Sequence, residues 1–308
     1  MKGTKNGLLD NLFKLGLPKD IITNPSVIIE GHNVVRETPY PGILLEKKAF
    51  DDRVDVTLTV LPGVKVDKPV HFCLSKLGTG DQLVNIEVNV GEGADIKLIS
   101  HCAFKGGKIN HRSRTKFKVA KNASLDVTEV HYHSADTDIL IEAYAEGVVE
   151  ERGFYKSLFK INTAKAGKVD IKYNVDVMDY ANVDIETKIA GKDGDEIYVN
   201  DVIYLKGKHS RAIAKSRLMA LGNTVAEFYG ETYGFGDYSR GHIDCSEVIR
   251  SNEAKLKAVP IVVVNNETAK VTHEAAIGSL DKKQLETLMA RGLTEDEAVE
   301  VIVQGMLR

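Results

Sequence analysis

Tryptophan is absent from this chain of 308 residues, cysteine occurs three times, and aromatic residues make up only 6% of it. A protein that holds sugars by stacking needs aromatic platforms, so this composition argues against carbohydrate binding. Cys73, Cys102 and Cys245 are odd in number and far apart, which excludes a disulfide framework and points to a reducing cytoplasm. No stretch approaches the ~20 apolar residues of a membrane span. Met1–Gly16 carries Lys2 and Lys5 but no apolar run of the length a secretion signal requires. Charge is also balanced: 41 basic against 44 acidic residues give a net of −3, so no basic field invites nucleic acid. The phosphate loop G-x-x-x-x-G-K-[ST], the dinucleotide turn G-x-G-x-x-G and the nucleophile elbow G-x-S-x-G are all missing. The chain is therefore expected to be no ATPase, dinucleotide enzyme or serine hydrolase, and no enzyme in its own right.

Strand periodicity dominates what is present. Val84, Ile86, Val88 and Val90 alternate with Asn85, Glu87 and Asn89, and Val169, Ile171, Tyr173, Val175 and Val177 alternate with Asp170, Lys172, Asn174 and Asp176. A period of two places one face inward and the other in solvent. Between such runs a corner recurs: Gly91–Ala94, Lys121–Ala123, Ala166-Gly167, Leu221–Asn223, Asn265-Asn266. Glycine and asparagine tolerate the left-handed backbone that a sharp corner requires. A sandwich or barrel is one solution for many short strands. Tight hairpin signals are scarce, however, and each corner leads to another strand, which favours a solenoid of stacked coils.

Helical signals are confined to the ends. Leu8, Leu12 and Leu15 share a helical face, with Leu9 and Phe13 beside it, and Gly16 and Pro18 close that segment. Near the other end Asp281 can cap a helix carrying Leu285, Leu288 and Met289. Thr294 and Glu297 form a capping box before a last helix with Ala298, Val301 and Ile302 as its apolar face. The expected division is an N-terminal helical and irregular segment over 1–53, a β core over 54–278 and a C-terminal helical subdomain over 279–308.

Three groups of residues can carry chemistry. Cys245 lies in Arg240-Gly-His-Ile-Asp-Cys, with His242 and Asp244 beside it, and a thiolate there is a soft ligand for iron or zinc. The plainer reading is a small buried hydrophobe. His273-Glu274 offers an imidazole and a carboxylate on neighbouring residues, which point to opposite faces of a strand but not of a turn. His131-Tyr-His133 sets two imidazoles on one strand face, downstream of His101-Cys102. No acidic or cysteine partner is recognised beside them, and they read as ordinary strand histidines. Asp179, Asp184 and Glu186 are close enough to suggest paired catalytic carboxylates, but they read better as one side of a solvated strand.

The C-terminal third carries a resemblance. Ser210-Arg211, Gly230, Ser239–Cys245, Val259-Pro260, Thr272–Ala275, Gly278, Gln284-Leu285 and Leu288–Ala298, in that order, resemble the SufB/SufD family of the SUF iron–sulfur cluster assembly machinery. The resemblance implies a right-handed parallel β-helix with helical ends. It implies a scaffold that builds a transient iron–sulfur cluster and passes it to recipient apo-proteins. The C-terminal helices would bind a SufC-like ABC ATPase, and the body would pair with itself or with a second SufB/SufD chain. On the family pattern Cys245 and Glu274 hold cluster iron and His273 joins the site. All three occur here, so the chain looks SufB-like. The alternative it implies is a SufD-like adaptor that holds no cluster. Cys73 and Cys102 are the candidates for the family's internal cysteine linked to sulfur delivery. The chain lacks much of the N-terminal region of longer SufB proteins, and its Gln284–Leu288 helix departs from the family's aromatic pattern.

Overall fold

The computed structural model describes residues 2–161, 165–192 and 194–307. Its body is a β-solenoid of two long sheets facing each other. Among the described residues one sheet has ten strands and the other nine. From β4 (Val54–Val60) to β19 (Lys270–Ser279) successive strands alternate between the sheets, so each coil supplies one strand to each. Neighbours in a sheet run parallel. Asn182 of β13 (Asn182–Gly191), Arg211 of β15 (Arg211–Ala220) and Arg240 of β17 (Arg240–Ile249) stack in register, 29 residues apart each time. Before Val54 the strands β1 (Ser26–Glu30), β2 (Asn33–Glu37) and β3 (Ile43–Ala49) close the first end, and β1–β2 and β3–β4 pair antiparallel.

Alternating burial makes the core. Every second residue of β4, β14 (Glu196–Leu205) and β16 (Val225–Gly234) points between the sheets, where stacked Val, Ile, Leu and Phe form one continuous apolar column. The column excludes a hollow barrel and explains why no coil folds alone: each buries its inner face only against the next.

The corners set the coil length. Gly63, Gly93, Asn122, Arg152, Tyr180, His209 and Tyr238 occupy the same place in successive coils, all with φ between 54° and 73°. Each backbone N–H from Gly63 to His209 donates to a carbonyl of the following coil, as from Asn122 to Glu151 and from His209 to Asp237. That left-handed bend costs a non-glycine residue about 1 kcal/mol. Ring stacking offsets part of it: His209 lies between Tyr180 and Tyr238, with centroids 5.1 Å away on both sides. The glycine and asparagine corners follow the sequence expectation, whereas Arg152, Tyr180, His209 and Tyr238 do not announce themselves.

Helices cover the outer face of the ten-stranded sheet at both ends. The first, α1 (Lys2–Lys14), lays Leu12 on Ile28, Cys73 and Ala103, and Leu17 and Ile21 complete that patch. At the far end α2 (Lys282–Met289) is capped by Asp281, whose Oδ1 accepts from Lys283 and Gln284. The last helix, α3 (Glu295–Met306), starts with the expected Thr294/Glu297 capping box. Its docking face differs from expectation. Val299, Val303 and Leu307 seat on Ala190, Met219 and Val248, which stack on the outside of three adjacent strands. Ala298 is buried as expected, but Val301 is 49% exposed. The stripe with spacing of four faces the sheet, because that sheet offers its own apolar ladder there. No described helix is long and apolar enough to cross a membrane.

Candidate functional site

In β17 the alternation sends Gly241, Ile243, Cys245 and Glu247 inward, and His242, Asp244 and Ser246 outward. Cys245 is 2% exposed, stacked between Ser216 of β15 and Ala275 of β19. Burial first, then the nearby Glu247 and Asp244 carboxylates, pushes its thiol up to about 12. Outside the sheet Arg217 grips both Asp244 carboxylate oxygens and its main-chain oxygen, which ties β15 to β17 beside the cysteine. His242 Nδ1 sits 2.9 Å from the Thr272 hydroxyl on the outer surface.

His273 and Glu274 stand on β19, the last strand of its sheet, whose outer edge has no neighbour among the described residues. Residues 272–279 are all exposed. Register opposes Ile243 to His273, Asp244 to Glu274 and Cys245 to Ala275. Residues opposite one another in a parallel sheet share a face. His273 therefore lies on the cysteine's side of the sheet and Glu274 on the side of Asp244. Their common location is the open edge, where both faces meet solvent.

Behind Cys245 the interior turns polar. Asp201 of β14 is fully buried with neither carboxylate oxygen partnered among the described residues, and burial pushes it up to about 8. It faces inward because it stacks on Tyr173 and Gly230. Gly230 is required there: a Cβ would come within 2.8 Å of the Phe228 ring. Glu247 is 2% exposed and pushed up to about 7 by burial, and its Oε2 accepts from the Leu218 amide. Further along, Tyr155, Tyr173 and Ser157 line an interior cavity of about 80 Å³, with Ser157 Oγ 2.9 Å from Tyr173 OH.

That cavity ends at Glu129, and here the structure joins residues that sequence reading left apart. β7 (Asp95–Lys105) and β9 (Ser124–His133) lie side by side, with Cys102 opposite His131. Glu129 stands two residues before His131 on the same inner face, so Glu129-x-His131-x-His133 is one inward stripe. The sequence reading of those histidines as having no acidic or cysteine partner is thus corrected. The signal was the period of two extended one step upstream. Cys102 is fully buried, and burial followed by the Glu129 charge holds its thiol well above the usual range. Cys73 is on the outer face beneath α1, raised likewise by burial. Asp184 pairs with Lys215, Glu186 with Lys188, and Asp179 accepts from the Lys208 amide, as solvated strand carboxylates do.

Parallel coils that carry thiol, imidazole and carboxylate donors define a solenoid protein with side chains of the kinds that hold metal. The comparisons narrow that class. The family described as SUF system FeS cluster assembly, SufBD core domain, matches residues 74–306, and this chain belongs to it. It is similar to an iron–sulfur cluster assembly SufBD family protein of Methanocaldococcus jannaschii, 38% identical over 294 residues, covering 94% of this chain and 93% of that one. A second such protein, from Pyrococcus horikoshii, is 30% identical over 304 residues, covering 97% and 92%. A third, from Archaeoglobus fulgidus, is 30% identical over 249 residues, covering 80% and 66%.

Proposed function

We propose that this SufBD protein is the scaffold on which a nascent iron–sulfur cluster is assembled and from which it passes to recipient apo-proteins. The observation that carries the reading is Cys245 placed one strand in from a free sheet edge that presents His273 and Glu274. A buried thiol one strand in from an exposed imidazole on its own face, with a carboxylate on the same edge, gives the cargo a soft anchor and harder, weaker outer ligands. Mixed ligands of this kind hold a cluster less firmly than four thiolates, which suits transfer.

Two partners complete the proposal. The edges of β18 (Lys255–Val264) and β19 have no neighbouring strand among the described residues and expose Val264 and Ile277, and a second SufB/SufD chain, here a copy of this one, adds its strands there. Such pairing sets the edges that carry His273 and Glu274 of both chains beside one another, with each Cys245 one strand in on the face of its His273. Leu288, Val301, Ile302 and Met306 line an open groove of about 550 Å³ between α2 and α3, the proposed seat of a SufC-like ABC ATPase. ATP hydrolysis belongs to that partner, and its closure strains the paired edge and releases the cargo. Three free, buried thiols suit a reducing cytoplasm.

A second reading draws on the same geometry. Cys245 and Glu274 occupy opposite faces, which favours an adaptor of the SufD kind that holds no cluster by itself. Anaerobic reconstitution with iron and sulfide decides between them. The scaffold reading expects a cluster absorption spectrum and bound iron and sulfide that Cys245→Ser abolishes. An unchanged spectrum in that variant, or no cluster in the wild type with its ATPase present, overturns it.

A further inference from the structure

At the opposite end of the interior from Cys245, a second set of donors converges. Cys102 Sγ lies 3.7 Å from Glu129 Oε1, and His131 Nε2 lies 2.7 Å from the same oxygen. The sulfur, nitrogen and oxygen donors are all within 4.8 Å of one another. Donors of a tetrahedral site with bonds of ~2.0–2.3 Å stand about 3.3–3.7 Å apart, so small shifts of these side chains enclose an ion.

Hydrogen bonding fixes which ring nitrogens are free. His133 Nδ1 donates to the Lys165 carbonyl at 2.8 Å, which leaves Nε2 as an acceptor. That acceptor is 3.4 Å from His131 Nδ1. His131 Nε2 is held 2.7 Å from a Glu129 carboxylate oxygen, so imidazole and carboxylate already converge on one point. Opposite, the Gln82 amide nitrogen donates to the Gly31 and Ser75 carbonyls, so its oxygen accepts from His111 Nδ1. His111 Nε2 is then a lone pair, fully buried and without a partner among the described residues, on a ring whose centroid is 6.2 Å from that of His131. An imidazole anchored through one nitrogen to a carbonyl, with the other free, is the usual preparation for a metal ligand.

Access is also present. Cys102 and His131 are 0% exposed, but the Glu129 side chain is 21% exposed and forms part of the wall of the interior cavity. An ion arriving through that cavity meets the carboxylate first and the thiol and imidazole behind it.

We propose that Cys102, Glu129 and His131 form an interior site for one divalent transition-metal ion of intermediate softness, Zn²⁺ or Fe²⁺, separate from the Cys245 edge. Thiolate, imidazole and carboxylate together match that class and not Mg²⁺ or Ca²⁺, which take oxygen alone. On binding, the Cys102 S–H bond breaks, a sulfur–metal bond forms, and the proton leaves to solvent. Cys102 and Cys245 are five strands apart in one sheet, about 24 Å, so one ion cannot serve both.

Anaerobic titration of the metal-free chain with Co²⁺ tests the site, because cobalt bound by a thiolate acquires a charge-transfer band. In the Cys245→Ser background, which removes the edge thiol, one Co²⁺ per chain with that band is expected, and it is lost when Cys102→Ser is added. Glu129→Gln, nearly isosteric, is expected to weaken Co²⁺ about tenfold or more, with thermal unfolding of the metal-free protein unchanged. A band that survives Cys102→Ser in that background overturns the proposal, as does the absence of any band in Cys245→Ser. If Cys102→Ser does not fold, Glu129→Gln decides, and unchanged Co²⁺ affinity overturns it. None of these outcomes depends on whether a cluster forms at Cys245.

Discussion

Asp244 and Glu274 stand opposite one another on adjacent strands, and Cys245 opposes Ala275 instead. The cysteine and the glutamate are therefore neighbours along the sheet and strangers across it. His273 is the donor that shares the thiol's face. Iron retention should follow that geometry. Cys245→Ser is expected to abolish the reconstituted cluster. His273→Ala should weaken iron retention about tenfold, and by more than Glu274→Ala. Iron and sulfide per chain after gel filtration check the ranking.

The proposed pairing through the free edge gives a separate expectation. Ile277 is 47% exposed on β19 and Val264 45% exposed on β18. Ile277→Asp and Val264→Asp should leave the fold intact and convert dimers to monomers, read by sedimentation velocity. Persistence of the dimer in the double variant would place the interface elsewhere.

The two faces of α3 should separate stability from partner binding. Val301→Asp, at a 49% exposed position, is expected to abolish co-purification with the proposed ATPase partner without lowering the unfolding midpoint. Val303→Ala, at 1% exposure against Met219 and Val248, should instead cost about 2 kcal/mol by leaving a cavity. Urea unfolding and a pull-down distinguish the two effects.

His209, at φ 54° between two stacked tyrosines, tests the corner ladder. His209→Asn keeps a residue that tolerates the left-handed bend and should cost under ~1 kcal/mol. A β-branched side chain does not tolerate it, so His209→Val should cost about 2 kcal/mol. Equal midpoints in urea would show that the ladder carries no strain.

Asp201 makes stability depend on pH. Its carboxyl, at 3.8 when unfolded, is pushed up to about 8 by complete burial. Between those values the folded chain binds the extra proton. The contribution is fully present below about 4 and is lost as pH rises through about 8. Asp201→Asn, which stays neutral, should gain on the wild type by about 1.4 kcal/mol per pH unit within that window and level off outside it. Unfolding free energies of both proteins at pH 5, 6 and 7 (roughly the centre of that window) provide the check.

Much of this was legible in the chain itself. Alternation such as Val84–Val90 fixes inside from outside without reference to any neighbour, because a strand has a period of two. Glycine and asparagine at Gly93 and Asn122 mark corners by their own backbone freedom. Asp281, Thr294 and Glu297 cap helices through contacts no more than three residues away. All of these are local effects, and local effects can be read in order along the sequence.

What only the folded body decided depends on stacking of residues one coil apart, 29 along the chain for Cys102 and His131 and 30 for Asp244 and Glu274. Arg152, Tyr180, His209 and Tyr238 take a strained conformation because the coils above and below hold them there. The outer ladder of Ala190, Met219 and Val248 selects the buried face of α3. Register sets Cys102 against His131 and Glu274 against Asp244, and a shift of one residue would exchange every face. The sequence thus determined a stacked-strand protein with donors of the right kinds. Which donors share a face, a cavity or an edge was left to coil length, since that alone brings remote residues into line.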